Sequence, residues 1–158
     1  HQLAYFNEFV GGPARGHEWF VDSSLDWGQD LEGLADELRE MGRPPIYLSY
    51  FGSADPEAYG IRYVPVWMCC NVTRKGHAVD PAKAGRVLFA VSVTNLQAVY
   101  FRDKNIFSWL KEREPIRRIG YTIFLYDLTD DREARAKLSK LVFAFTRDPG
   151  RARSLLLK

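Results

Sequence analysis

Apolar positions along this chain change their period several times, and each change marks an element. Leu31, Leu34, Ala35, Leu38 and Met41 stand at i, i+3, i+4, i+7 and i+10, one stripe of an amphipathic helix. Gly42 stops the stripe, and Pro44 and Pro45 forbid its continuation. Residues 18–22 ahead of it read as a strand. "IYLSYFG", residues 46–52, is β-branched and aromatic, and its length suits a strand buried on both faces. Strand, helix and strand within about thirty residues make a βαβ unit, whose crossover is expected to be right-handed.

The pattern then shortens. "RYVPVWMCC" reads as an edge strand or an extended stretch, because Pro65 lacks the donor that a central strand needs. Residues 71–86 are polar and broken by Gly76, Pro81 and Gly85, and read as a loop. "VLFAVSVTN" is the clearest strand, and "NIFSWLKERE" has helical character up to Pro115. "GYTIFLYDL" is a further strand, expected antiparallel to its neighbours because only a short turn precedes it. From Thr129 the period becomes helical, with Ala134, Leu138, Leu141, Val142 and Phe145 on one face behind a capping box from Asp130 to Glu133. Asp148 and Pro149 suit the N-cap and first position of a last short helix. The fold class predicted is α/β: a three-layer sandwich around a mixed, mostly parallel sheet, with a C-terminal helical pair. Residues 1–128 form the α/β domain and 129–158 an extension packed on it.

Composition adds limits. At 46% hydrophobic and 27% charged residues, the 158-residue chain has the balance of a globular domain, and its apolar runs are too short to span a bilayer. It opens on His1 without a signal-peptide pattern, and so reads as a fragment or processed product of something longer. The two cysteines, Cys69 and Cys70, are adjacent, a spacing that disfavours a relaxed disulfide and forms no zinc motif. Charge is uneven: residues 1–101 hold 8 Lys+Arg against 12 Asp+Glu, whereas 102–158 hold 14 against 8. The basic back half suits a solvated helix face, or an anionic membrane surface as partner. Nucleic acid is not expected, since Phe143 and Phe145 are assigned to the core rather than to base stacking.

Candidate chemistry gathers at the mouth of the first helix, in "VDSSLDWGQDL". Asp26 and Gln29 fit a capping box. Asp22, Ser23, Trp27 and Asp30 are not explained by capping and lie where a βα unit delivers loops to the carboxyl edge of the sheet. Tyr50 and Asp55 in "SYFGSADPEAYG", and Asn95 in "SVTNLQAVY", bring hydrogen-bonding groups beside aromatic faces, the chemistry of sugar recognition. Turn and cap roles compete for the same residues. These seven are the candidate ligand-binding residues; no catalytic residue and no metal ligand is assigned. No cofactor is expected, a divalent cation held by Asp22, Asp26 and Asp30 being the lesser alternative. A glycine-rich phosphate loop and a G-x-S-x-G elbow are both missing.

In order, "YFNEFVGGP", "FVDSSLDWGQDL", "YLSYFGSADPEAYGI", "AVSVTNLQAVY" and "WLKEREPIRRIGYTIFLYDL" make the chain resemble the soluble C-terminal region of bacterial multi-pass membrane glycosyltransferases. These are similar to dolichyl-phosphate-mannose protein mannosyltransferases. The resemblance runs from about Leu3 to Leu128. It implies a noncatalytic extracytoplasmic (periplasmic) domain, joined to a membrane portion of the same polypeptide that transfers a hexose from a polyprenyl-phosphate carrier. The family's catalytic carboxylate lies in a loop of that membrane portion and has no counterpart here, so the isolated domain is expected to be inactive. Lipid-linked sugar or glycan acceptor becomes the implied ligand. The rival expectations are a self-contained soluble hydrolase or transferase using the Asp-rich mouth, and a protein-interaction module.

Overall fold

The computed structural model describes residues 28–68 and 79–157. The proposed strand at 18–22, the cysteine pair and the candidates Asp22, Ser23 and Trp27 lie outside the described residues. Helix α1 (Leu31–Glu40) leads into β1 (Ile46–Tyr50), and a 3-10 turn at Pro56–Tyr59 separates β1 from β2 (Tyr63–Met68). A second 3-10 turn at Pro81–Ala84 precedes β3 (Leu88–Ser92), which runs without a gap into α2 (Val93–Leu96). Then follow α3 (Ser108–Lys111), β4 (Arg117–Ile119), β5 (Ile123–Asp127), α4 (Arg132–Thr146) and α5 (Pro149–Ser154).

The strands form one sheet in the order β2-β1-β3-β5-β4. β1 is parallel to both β2 and β3, whereas β5 is antiparallel to β3 and β4. The sheet is therefore mixed, with a parallel half and four of its five strands pointing the same way. β2 takes one end of the order, and its register against β1 slips between Leu48 and Ser49, opposite Pro65 and Trp67. Pro65 cannot donate to the ladder, so the irregularity falls where the backbone donor is missing. β4 is an addition to the expected elements: the stretch reads as a turn, but Arg117 to Ile119 pair with Ile123 to Leu125 as a short exposed hairpin arm.

Every residue of β1 and β3 is buried, so both faces of these strands must be apolar. On one face Ile46, Leu48, Tyr50, Leu88, Ala90, Ile123 and Leu125 meet Leu31, Leu34, Ala35 and Leu38 of α1. On the other, Tyr47, Phe89, Val91, Phe124 and Tyr126 meet Trp109 and Leu110 of α3, Ala134, Leu138 and Val142 of α4, and Leu155 after α5. Helix, sheet and helices are the three layers predicted. Burying a leucine such as Leu34 or Leu138, both fully covered, is worth about 2 kcal/mol before packing terms are added.

The C-terminal pair is fastened by polar contacts too. The Ser154 hydroxyl donates to Asp80 Oδ1 (3.0 Å), which also accepts from the Ala82 amide (3.2 Å), while Ser139 donates to the Ala152 carbonyl (2.7 Å). The cap of α4 is Asp131 rather than Asp130: its Oδ1 accepts from the Ala134 amide (2.8 Å) and its Oδ2 from Arg113 Nε (2.6 Å). α5 begins as read, with Asp148 capping the Arg151 amide and Pro149 following it. Phe143 and Phe145 depart from expectation: they are 46% and 41% exposed. Phe143 is turned away from the core-facing stripe of Ala134, Leu138 and Val142, whereas Phe145 shares its phase but stands in the last turn of α4, beside a groove against β2.

Candidate functional site at the carboxyl edge of β1 and β3

The chain leaves β1 toward β2 and leaves β3 toward β5, in opposite directions from two adjacent parallel strands. The connections also part by face. Ile61, on the way to β2, packs on the α1 side, whereas Val93 and Leu96 of α2 pack on the other. Such a divergence beyond the carboxyl ends of two parallel strands marks the usual ligand position of open α/β sheets.

Polar residues collect there. Asn95 is 1% exposed; its Nδ2 donates to Ser49 Oγ (3.1 Å), and its Oδ1 has no hydrogen-bond partner among the described residues. The Phe51 amide donates to Ser92 Oγ (3.1 Å), which laces the end of β1 to the end of β3. Outside this buried layer the Phe51 and Tyr100 rings stack with centroids 5.5 Å apart and planes within 9°. Tyr100 is 54% exposed, so the stack presents an aromatic surface to solvent at this edge. Ser53 and Asp55 are exposed on the loop that follows Phe51. Lys104 Nζ donates to the carbonyls of Ala98 (3.1 Å) and Val99 (2.8 Å), holding the turn that carries Tyr100, and Ala98 takes a positive φ of 55° to make it.

The sequence candidates divide. Tyr50 is wholly buried and its hydroxyl donates to the Gly28 carbonyl (2.9 Å). Its ring lies so close to Gly28 and Gly52 that a Cβ on either would fall 2.2 and 2.3 Å from the hydroxyl oxygen. Tyr50 thus pins the approach to α1 onto the end of β1. Asp55 is exposed and caps the 3-10 turn by accepting from the Glu57 amide (3.0 Å). Of these candidates Asn95 alone combines burial at this edge with an acceptor that no described residue fills.

Asp30 departs furthest from the reading of the helix mouth. Helix α1 starts at Leu31, so Asp30, not Asp26, is its N-cap residue, and its side chain makes no capping bond. It instead accepts from the Thr122 hydroxyl (2.6 Å) and lies against Gly120, where an added Cβ would come within 2.0 Å of the carboxylate. Gly120 has φ +53°. Burial raises the Asp30 pKa above its usual value, opposed by the Thr122 hydrogen bonds. A raised carboxyl is what a catalytic reading demands, yet this one clamps α1 to the β4–β5 turn. Asp22 and Asp26 lie outside the described residues, as do all three histidines. Among the described residues no three His, Cys, Asp or Glu side chains gather as a metal site, and no helix is long and apolar enough to cross a membrane.

Sequence reasoning missed Ser49, Ser92 and the Phe51–Tyr100 stack. The available signal was an aromatic residue placed just past a strand end, in "SYFG", and another after the turn in "QAVYF". No family model, no curated protein and no solved structure matches the chain.

Proposed function

We propose that this chain is the noncatalytic extracytoplasmic domain of a membrane glycosyltransferase that takes its sugar from a polyprenyl-phosphate carrier. In this reading the domain recognises a glycan or lipid-linked sugar at the carboxyl edge of β1 and β3. One observation carries the proposal: the stretches on which the resemblance rests meet one another in space. Gly28 of "DWGQDL" lies against Tyr50 and Gly52 of "SYFGS", Ser49 bonds Asn95 of "VTNLQ", and Asp30 bonds Thr122 of "GYTIF". Stretches up to 92 residues apart are thus built into one neighbourhood. The outer part of that neighbourhood offers a stacked aromatic face beside exposed Ser53 and Asp55, which suits the apolar face and hydroxyls of a pyranose.

The test is calorimetric titration of the 158-residue chain with free hexoses, short oligosaccharides and a short-chain polyprenyl-phosphate hexose. Saturable heat with one of them is expected, reduced roughly twofold to tenfold in affinity by Tyr100→Ala, since an aromatic contact is worth about 0.5–1.5 kcal/mol. Tyr100 is exposed, and unchanged thermal unfolding of the variant will verify that it keeps the fold. Absence of heat with every ligand, or binding indifferent to Tyr100→Ala, counts against sugar recognition at this edge. Sugar transfer by the isolated chain would overturn the noncatalytic reading.

A further inference from the structure

We infer that the outward face of α4, with the end of α5, docks on an anionic lipid bilayer. Residues 132–157 carry seven arginines and lysines but only two acids, Glu133 and Asp148. Both acids are engaged: Glu133 by Arg113 (3.4 Å) and Asp148 by Arg151 (3.3 Å). Arg132, Lys137, Lys140, Arg147 and Arg153 are exposed and make no ion pair among the described residues. Arg132, Ala136, Lys140, Phe143 and Arg147 follow one another at spacings of four, four, three and four. They therefore share one side of the helix, opposite the buried Leu138 and Val142.

Large apolar groups are exposed in the same region. Of the six large hydrophobic side chains exposed among the described residues, four are Phe143, Phe145, Leu156 and Leu157, the last being 71% exposed. Beside Phe145 a groove of about 490 Å³ opens between β2 and the end of α4, walled by Trp67, Met68, Thr146 and Arg147. It has the size of a small-ligand pocket, and it joins apolar walls to a cation, the pairing that a lipid headgroup and the start of its chain require. Exposed cations interleaved with exposed phenylalanine and leucine match an acidic bilayer surface, where lysine and arginine meet phosphate while the apolar groups enter the acyl boundary. Nucleic acid fits less well, because a phosphate backbone has no use for Leu156 and Leu157. The inference stands on residues separate from the carboxyl edge, so it holds or fails independently of sugar recognition there.

Co-sedimentation of the 158-residue chain with vesicles tests it. Association is expected with phosphatidylcholine vesicles containing phosphatidylglycerol, not with phosphatidylcholine alone, and it should weaken as salt screens the surface. Lys137→Glu with Lys140→Glu should lower the partition coefficient at least about tenfold, each cation near an acidic surface being worth roughly fivefold. Phe143→Ser should lower it roughly threefold to tenfold while leaving the salt dependence in place. All three residues are exposed, and unchanged thermal unfolding will verify that the variants fold. Equal partition onto neutral and acidic vesicles, partition unaltered in both variants, or association with a single-stranded oligonucleotide but not with vesicles would each overturn the inference.

Discussion

The carboxyl edge of β1 and β3 and the outer face of α4 are both rich in polar groups, but they treat them in opposite ways. At the edge an inner layer of groups is covered and engaged, Tyr50 to Gly28, Asn95 to Ser49, Phe51 to Ser92 and Asp30 to Thr122, with Asn95 Oδ1 the exception among the described residues. On α4 the cations point outward, and Arg132, Lys137, Lys140 and Arg147 have no acidic partner among the described residues. Buried polar groups must find partners within the chain because desolvation is costly. Exposed ones are free to find partners elsewhere. Substitutions in the buried layer of the edge should therefore register first as lost stability, and substitutions on α4 as lost association.

The largest expected effect is Gly28→Ala. The new methyl would overlap the Tyr50 hydroxyl at 2.2 Å and the Gly52 Cα at 2.8 Å, at a backbone φ of +75°. Destabilisation of about 3 kcal/mol or more is expected in urea unfolding. A loss under about 1 kcal/mol would mean that the Gly28–Tyr50 contact is loose, and the contrast between the two regions would shrink.

Asp30 gives an effect of intermediate size whose sign depends on pH. Burial raises its pKa from 3.8, so the folded state disfavours the charged carboxylate. Its stabilising contribution is complete below the unfolded value and is lost as pH rises through the folded one. Asp30→Asn, which keeps an acceptor for Thr122, should therefore gain on the parent chain between about pH 3 and about pH 7 when both are unfolded in urea. A gain for the parent instead would show that the Thr122 bonds outweigh desolvation. The smallest effect belongs to Lys140→Ala, expected to change stability by no more than about 0.5 kcal/mol, because the side chain is exposed and unpaired among the described residues. A larger loss there would mean that the cationic face serves the fold itself.

What the sequence makes legible follows from range. The α1 stripe, the buried strands β1, β3 and β5 and the start of α5 are local patterns, and each can be read directly. β4 escapes because three exposed residues carry no alternation, and only pairing with β5 makes them a strand. At the site, "DWGQD" advertises a helix mouth but gives no hint of the partner of Asp30. Its bond to Thr122 spans 92 positions and leaves no trace in spacing. The exposure of Phe143 and Phe145 is illegible for related reasons: helix phase turns Phe143 away from the stripe through Leu138 and Val142, and Phe145, in phase with that stripe, stands in the last turn of α4 where the groove against β2 leaves it uncovered.

Arg147 ends α4 in the left-handed conformation, at φ +57°, and its amide closes the helix on the Phe143 carbonyl (2.9 Å). Glycine is the residue that most often occupies such a position, because any side chain there is strained by about 1 kcal/mol. Stability and surface charge are therefore in direct competition at this one residue. A chain selected for heat resistance alone would drift toward Arg147→Gly, exchanging a cation at the mouth of the groove for a calmer helix end.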